Sequence, residues 1–466
     1  MKFLILNLPD TPRHVIQRDW AGTFGTATSK EKHHGGRFLP VYMLYMASAM
    51  MNSKQDFRII DGQGLDLDND KTVSEVKREK PDIIISLLCI PSYNNDLAIL
   101  NRIKEELPET KIICLGGLVN VTIDKTLNES KVDFLIKGRH PFYNNIIEII
   151  QNLDHIEQSK GIAYKNNGQI IKNQALEDTN DLNNINFEAY KLIDLNKYKM
   201  MGIDKDGNII EEIPILTAVG CPYGCIYCAY PVGFGEKFIY KDVDMVIDEI
   251  EYVVKNFSIN GFCMRDIVFT QKRAKVIEIC NKIMERNLKI KFVFETRANL
   301  VDKEMLEILK KAGCYKINFG LESGNAEILK NVGKPGINKE VFKKAFRLTS
   351  EAGIMNMAHI ILGLPGENKD TIKETYDFLK ELKADSASFN FLTPYPGTKL
   401  YDLAVSKGWI KTDDWSQYSS HNVVMGNDEL SVEDLKEIGG KTSRKYVMHK
   451  LLSDGKYRKL WLKRRL

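Results

Sequence analysis

No stretch of the 466-residue chain approaches the run of about 18 apolar residues that a membrane-spanning helix needs. The opening MKFLILNLPD is interrupted by Asn7, Pro9 and Asp10 too early for the apolar core of a secretory signal, so a cytoplasmic location is expected. Neither sign of charge dominates: 66 Lys and Arg against 62 Asp and Glu leave a net +4. The chain as a whole therefore lacks the basic footprint of a nucleic-acid binder. Cysteine is sparse, and five of the eight are scattered, with Cys89 and Cys114 at apolar strand-like ends. That usage suits reduced thiols rather than a disulfide framework. The 43% hydrophobic and 27% charged content is ordinary for a globular protein, and the length allows two or three domains.

The other three cysteines stand together in ILTAVGCPYGCIYCAYP, as Cys221, Cys225 and Cys228 with the spacing CxxxCxxC. Independent placement of eight cysteines would produce this pattern in only about one such chain in 400, so chance is a poor explanation. A zinc knot would want a fourth ligand nearby, and no Cys or His lies between Cys228 and Cys263. Three thiolates from one tight loop can hold three irons of a four-iron, four-sulfur cluster and leave the fourth iron open. Such an iron can bind a small molecule and pass it an electron.

In the front third, short β-branched runs at 2–8, 57–60, 82–88, 111–117 and 131–138 alternate with helical patterns such as 97–107. Their apolar residues run continuously, as in parallel strands covered on both faces. The expectation is a doubly wound α/β domain over 1–145, with its ligand at the carboxyl ends of the strands. Two of those ends carry Ser86-Leu87-Leu88 and, after 27 intervening residues, Gly116-Gly117. Residues 9–40 show no clear element and hold His14, Arg18, Trp20, His33, His34 and Arg37; a connection this long reads as a lid over a ligand. The paired histidines are a candidate metal site, with solvated surface histidines as the plain alternative.

Residues 146–206 are polar and rich in Asn, Asp and Lys, and read as a linker. A second α/β run follows over 207–400. Its strand candidates are 213–219, 261–269, 291–296, 315–320, 357–362 and 386–392, and a helix is expected over 242–254. Six βα units predict a partial (β/α)6 barrel with its chemistry at the carboxyl strand ends. The remainder, 401–466, is expected to be helical.

The Cys loop and its setting resemble the radical S-adenosylmethionine (SAM) superfamily. The SxL and Gly-Gly pair ahead of it resemble the cobalamin-binding class of that family. The resemblance implies a [4Fe-4S] cluster on Cys221, Cys225 and Cys228, with SAM chelated at the open iron and Tyr227 beside the adenine. It further implies SAM contacts from Asp266, Arg297, Glu322, Ser323 and Gly363, and close approach at Gly366. Ser86, Leu88, Gly116 and Gly117 would receive the cobalamin tail. One electron would cleave SAM to methionine and a 5′-deoxyadenosyl radical. Two departures are visible. The DxHxxG loop that can supply a lower cobalt ligand is absent, since 39–44 reads LPVYML, and Gly138-Arg139-His140-Pro141 replaces a GEGE-like turn. Cobalt is thus expected without a protein histidine.

The implied activity is methyl transfer to an unactivated carbon or phosphorus centre. A cyclase or ring-rearranging enzyme of the anaerobic magnesium-protoporphyrin ester cyclase type is the alternative, and a cluster-bearing tetrapyrrole-binding protein or chaperone without turnover is a second. Expected partners are a small-molecule or lipid substrate and an electron donor such as flavodoxin or ferredoxin, with no nucleic acid. The last 21 residues mix aromatics and leucines with seven Lys and Arg, which suits either peripheral contact with an anionic membrane or a helix packed on the barrel.

Overall fold

The structure is a computed structural model that describes residues 1–32, 36–177, 181–455, 457–458 and 461. Two seven-stranded sheets dominate it. In the first, spatial order runs through the strands that begin at residues 56, 2, 83, 111, 134, 162 and 169. The five parallel strands thus stand in the order 2-1-3-4-5, which reverses direction between Lys2–Asn7 and Ile83–Leu87. Every residue of Ile83–Leu87 is buried, as are Phe3 to Asn7, because helices cover both faces.

The sheet does not stop at residue 145. Ile162–Asn166 and Gln169–Lys172 add an antiparallel hairpin to its edge, so part of the expected linker belongs to the first domain. These strands are half exposed and carry Lys, Asn and Gln, which is why their composition reads as linker. The stretch 9–40 also contains structure: His14–Gln17 pairs antiparallel with Thr26–Ser29. His33 and His34 lie outside the described residues.

In the second sheet six parallel strands follow one another in chain order: Ile209–Ile215, Gly261–Met264, Lys291–Thr296, Cys314–Glu322, Met355–Leu362 and Ser386–Phe391. Met200–Ile203 adds an antiparallel edge. The helices between them are capped by side chains that accept orphan amide protons, among them Asp302, Asn338 and Asn368. Helix Val243–Phe257 buries Val246, Ile247, Ile250 and Val253 at helical spacing. The sheet is a curled half-barrel.

Helix Val41–Asn52 joins the two units. Ten of its twelve residues are buried, because it is apolar all round and has protein on both sides. One apolar core runs through it, from Phe3 and Ile85 in the first sheet to Phe294 and Ile360 in the second. Helix Val432–Ser453 closes the far edge of the half-barrel. Its Tyr446 hydroxyl and Lys450 ammonium both donate to the Ala384 carbonyl, and Gly439 lies against Phe391. Of the basic stretch at the chain end, Lys450 is thus packed on the barrel, while residues 456, 459–460 and 462–466 lie outside the described residues. Among the described residues no helix is long and apolar enough to cross a membrane.

Candidate active site

A cavity of about 290 Å³ opens at the carboxyl ends of the barrel strands. All three cysteines of the CxxxCxxC loop line it, together with Tyr223, Tyr227, Arg297, Glu322 and Lys334. The loop is held from several directions. The Cys221 amide donates to the Gly235 carbonyl at 3.0 Å, Ile226 N–H to Val332 at 3.2 Å, and Leu400 N–H to the Ile226 carbonyl at 2.9 Å. Gly333 has a φ of +84° and packs so closely on Gly224 that a Cβ would stand 2.5 Å from its carbonyl oxygen. Only glycine suits both demands.

Among the described residues no three His, Cys, Asp or Glu side chains close on a single metal ion. The three thiols instead line one cavity wall, and thiolate donors suit iron–sulfur chemistry. Burial pushes all three thiols up, Cys228 to about 12, while Arg297 and Lys334 act against that shift at Cys221 and Cys225. Ligation would supply the rest of the stabilisation a thiolate needs.

Beside the cysteines the wall presents polar groups with unmet bonding capacity. Arg297 stacks its guanidinium 4.0 Å from the Tyr223 ring centroid, and its buried Nε has no partner. Asn318 Oδ1 and His359 Nε2 are likewise buried without a partner on the same cavity wall. Orphaned polar atoms of this kind are costly unless a ligand completes them, and SAM carries matching carboxylate, amino and ribose groups. The chain's residues fit a cluster and SAM. The lining also includes apolar side chains, among them Trp20, Ile267, Val268, Phe391 and Leu392.

Of the expected SAM contacts, Tyr227, Arg297 and Glu322 line the cavity, whereas Asp266, Ser323 and Gly363 do not. The Asp266 carboxylate accepts from the amides of Thr217 and Ala218 at 2.8 Å and from the Thr217 hydroxyl, so it braces the strand end that leads into the Cys loop. Ser323 is fully buried against Thr375. Gly363 turns the chain at φ +91° beneath Leu435 and donates its amide proton to Glu367. Sequence reasoning passed over His359 and Asn318. Their signal was period-two placement on barrel strands, where every second side chain faces inward.

At the first sheet, Ser86, Leu88, Gly116 and Gly117 do stand together at adjacent strand ends. The Ser86 hydroxyl donates to the Leu6 carbonyl at 2.8 Å. The space over the glycines holds the chain's own segment 18–25, with the Gly117 amide donating to Thr23 Oγ1 at 2.6 Å. Nearby, the GRHP turn docks on the short helix Tyr230–Phe234 that follows the Cys loop: His140 stacks on Phe234 with centroids 4.5 Å apart.

Residues 215–379 match the family model of the Radical SAM superfamily. This part of the chain is a radical SAM domain. The chain is 26% identical over 402 residues to an uncharacterized methyltransferase of Pyrococcus horikoshii, covering 86% of this chain and 85% of that protein. It is also 26% identical over 450 residues to the anaerobic magnesium-protoporphyrin IX monomethyl ester cyclase of Cereibacter sphaeroides, covering 92% and 70%. Among solved structures, the radical SAM methyltransferase TsrM of Kitasatospora setae superposes with a TM-score of 0.69 at 15% identity, over 94% of this chain and 83% of that one. The cobalamin-dependent SAM radical enzyme OxsB gives 0.72 at 16% identity, over 99% and 70%. At these identities the structural likeness establishes the shared two-sheet fold.

Proposed function

We propose that the protein is a cobalamin-dependent radical SAM enzyme that methylates an unactivated carbon or phosphorus centre. The observation that carries this reading is the cavity itself. It is lined by the Cys loop and the barrel strand ends and also by Trp20 and Ala21 from the first domain. A reaction that needs radical generation and a methyl carrier side by side has its parts at one interface. When bound, the cluster and SAM supply a carbon-centred oxidant, and cobalamin carries the methyl group.

The chain's residues do the positioning. Cys221, Cys225 and Cys228 hold the cluster, while Arg297 offers an unspent donor to a SAM carboxylate. Glu322 and Tyr227 wall the nucleoside side, and the apolar face from Ile267 to Leu392 excludes water and takes a largely apolar small-molecule or lipid substrate. Reducing equivalents come from a flavodoxin- or ferredoxin-like donor.

The similarity to the ester cyclase over 92% of the chain favours cyclisation as a second reading. Turnover of anaerobically reconstituted protein with labelled SAM and cell extract separates the two. Methyl transfer yields S-adenosylhomocysteine and 5′-deoxyadenosine in about equal amounts, because one SAM serves each role. Deoxyadenosine without S-adenosylhomocysteine points to the cyclase.

A further inference from the structure

Parallel pairing fixes which side chains share a level inside the half-barrel. Glu295 on Lys291–Thr296 stands in register with Asn318 on Cys314–Glu322. Neighbouring strands lie about 4.8 Å apart, and side chains in register point to the same face. Both residues line the cavity, so a carboxylate and a carboxamide are presented to it side by side. Arg297 follows Glu295 by two residues, which sets the pair about 7 Å further back from the carboxyl strand ends.

The protein satisfies neither group. Glu295 has no hydrogen-bond or ion-pair partner among the described residues, and Asn318 Oδ1 is buried without one. None of the cations in the lining pairs with Glu295. Arg265 lies over the rings of Trp20 and Phe38 and donates to the Asp19 carbonyl at 3.2 Å. Arg297 stacks on Tyr223, and Lys334 is paired with Glu322. His359, on the strand beyond Asn318, adds an unpartnered Nε2, which accepts when Nδ1 donates to Ser388 Oγ, 2.6 Å away. This part of the cavity is rich in acceptors and carries a negative charge that no protein group answers. A metal ion would want a third ligand of the same kind, which the described residues do not bring together.

We infer that Glu295 and Asn318 form a subsite for a primary ammonium group, so that the substrate is an amine. The inference rests on the radical SAM methyltransferase reading above and narrows its substrate class. An ammonium donates up to three hydrogen bonds, matches both oxygens, and answers the charge of Glu295. A hydroxyl would leave that charge unmet. SAM, chelated at the open iron through its own amino group, leaves this subsite to the substrate. The apolar side chains of the lining, among them Ile267 and Phe391, take the rest of the molecule.

The test uses reconstituted full-length protein, methyl-labelled SAM and the small-molecule and lipid fraction of cell extract. Capping the primary amines of that fraction with an N-hydroxysuccinimide ester of acetic acid should lower labelled product by about tenfold or more, relative to a mock-treated fraction. Glu295→Gln should form labelled product about tenfold more slowly with untreated extract. Raising the extract concentration, and not that of SAM, should relieve this loss. Labelling that survives amine capping overturns the inference and leaves the methyltransferase reading intact. This arm uses the wild-type protein and stands whether or not the variant folds. A Glu295→Gln loss that is absent, relieved by SAM, or relieved by neither also overturns the inference. No labelled product from wild-type protein with untreated extract overturns the methyltransferase reading, and the inference with it.

Discussion

Lys334 and Glu322 form a buried ion pair at 2.7 Å on the cavity wall that also carries Cys225. The pair folds over Gly320, where a Cβ would stand 2.6 Å from Glu322 Oε1 and 2.9 Å from Lys334 Nζ. Lys334 also donates to the Gly320 carbonyl at 3.2 Å. Removing one member of such a pair strands the other charge in the protein, at a cost of about 3 kcal/mol. Lys334→Met should therefore lower the denaturation midpoint markedly, and Lys334→Met with Glu322→Gln should recover most of the loss. Equal destabilisation in the single and double variants would show that the pair does not act as a unit.

Substituting any one cluster cysteine should abolish assembly, since each would ligate a different iron. Reconstituted wild-type protein should hold about four irons at this site. Cys225→Ala should lose the visible charge-transfer absorption and SAM cleavage together. Retention of both would remove Cys225 from the ligand set.

Gly117→Val should block hydroxocobalamin uptake by placing branched carbon at the strand end against the tail. The same substitution should loosen segment 18–25 in hydrogen exchange. Uptake at the wild-type level would show that the tail does not pass Gly117.

Glu367 is fully buried, and burial raises its carboxyl to about 8; one oxygen accepts from the Gly363 amide at 2.7 Å and the other has no partner. A folded-state value above the unfolded one means that the folded protein holds an extra proton between them. Its stabilising contribution is complete below about pH 4.5 and is lost as pH rises through about 8. Glu367→Gln should flatten that decline, by up to about 1.4 kcal/mol per pH unit within the window. Parallel stability profiles for the two proteins between pH 5 and 8 would refute the assignment.

Elements whose own residues dictate burial were legible in the sequence. Ile83–Leu87 and Lys291–Thr296 announce themselves by continuous apolar character, and the cysteine loop by its spacing. What stayed hidden depends on partners distant in the chain. The hairpin of His14–Gln17 with Thr26–Ser29 is largely polar in composition, and Arg18 looks like any surface arginine until Asp96 is placed beside it. Asp266 illustrates the converse: a carboxylate at a strand end reads as a ligand contact, yet its Oδ1 is engaged by the amides of 217 and 218 and its Oδ2 by the Thr217 hydroxyl. His359 carries no motif of its own, and becomes notable only when Ser388, 2.6 Å from its Nδ1, leaves Nε2 facing the cavity.

One apolar core that includes helix Val41–Asn52 extends through both sheets. Their facing ends cannot gape like a hinged jaw without tearing apolar core away from this helix. Access to the chamber therefore falls to short connecting segments and not to whole-sheet motion. Such a frame holds the carboxyl ends of the two sheets in fixed register.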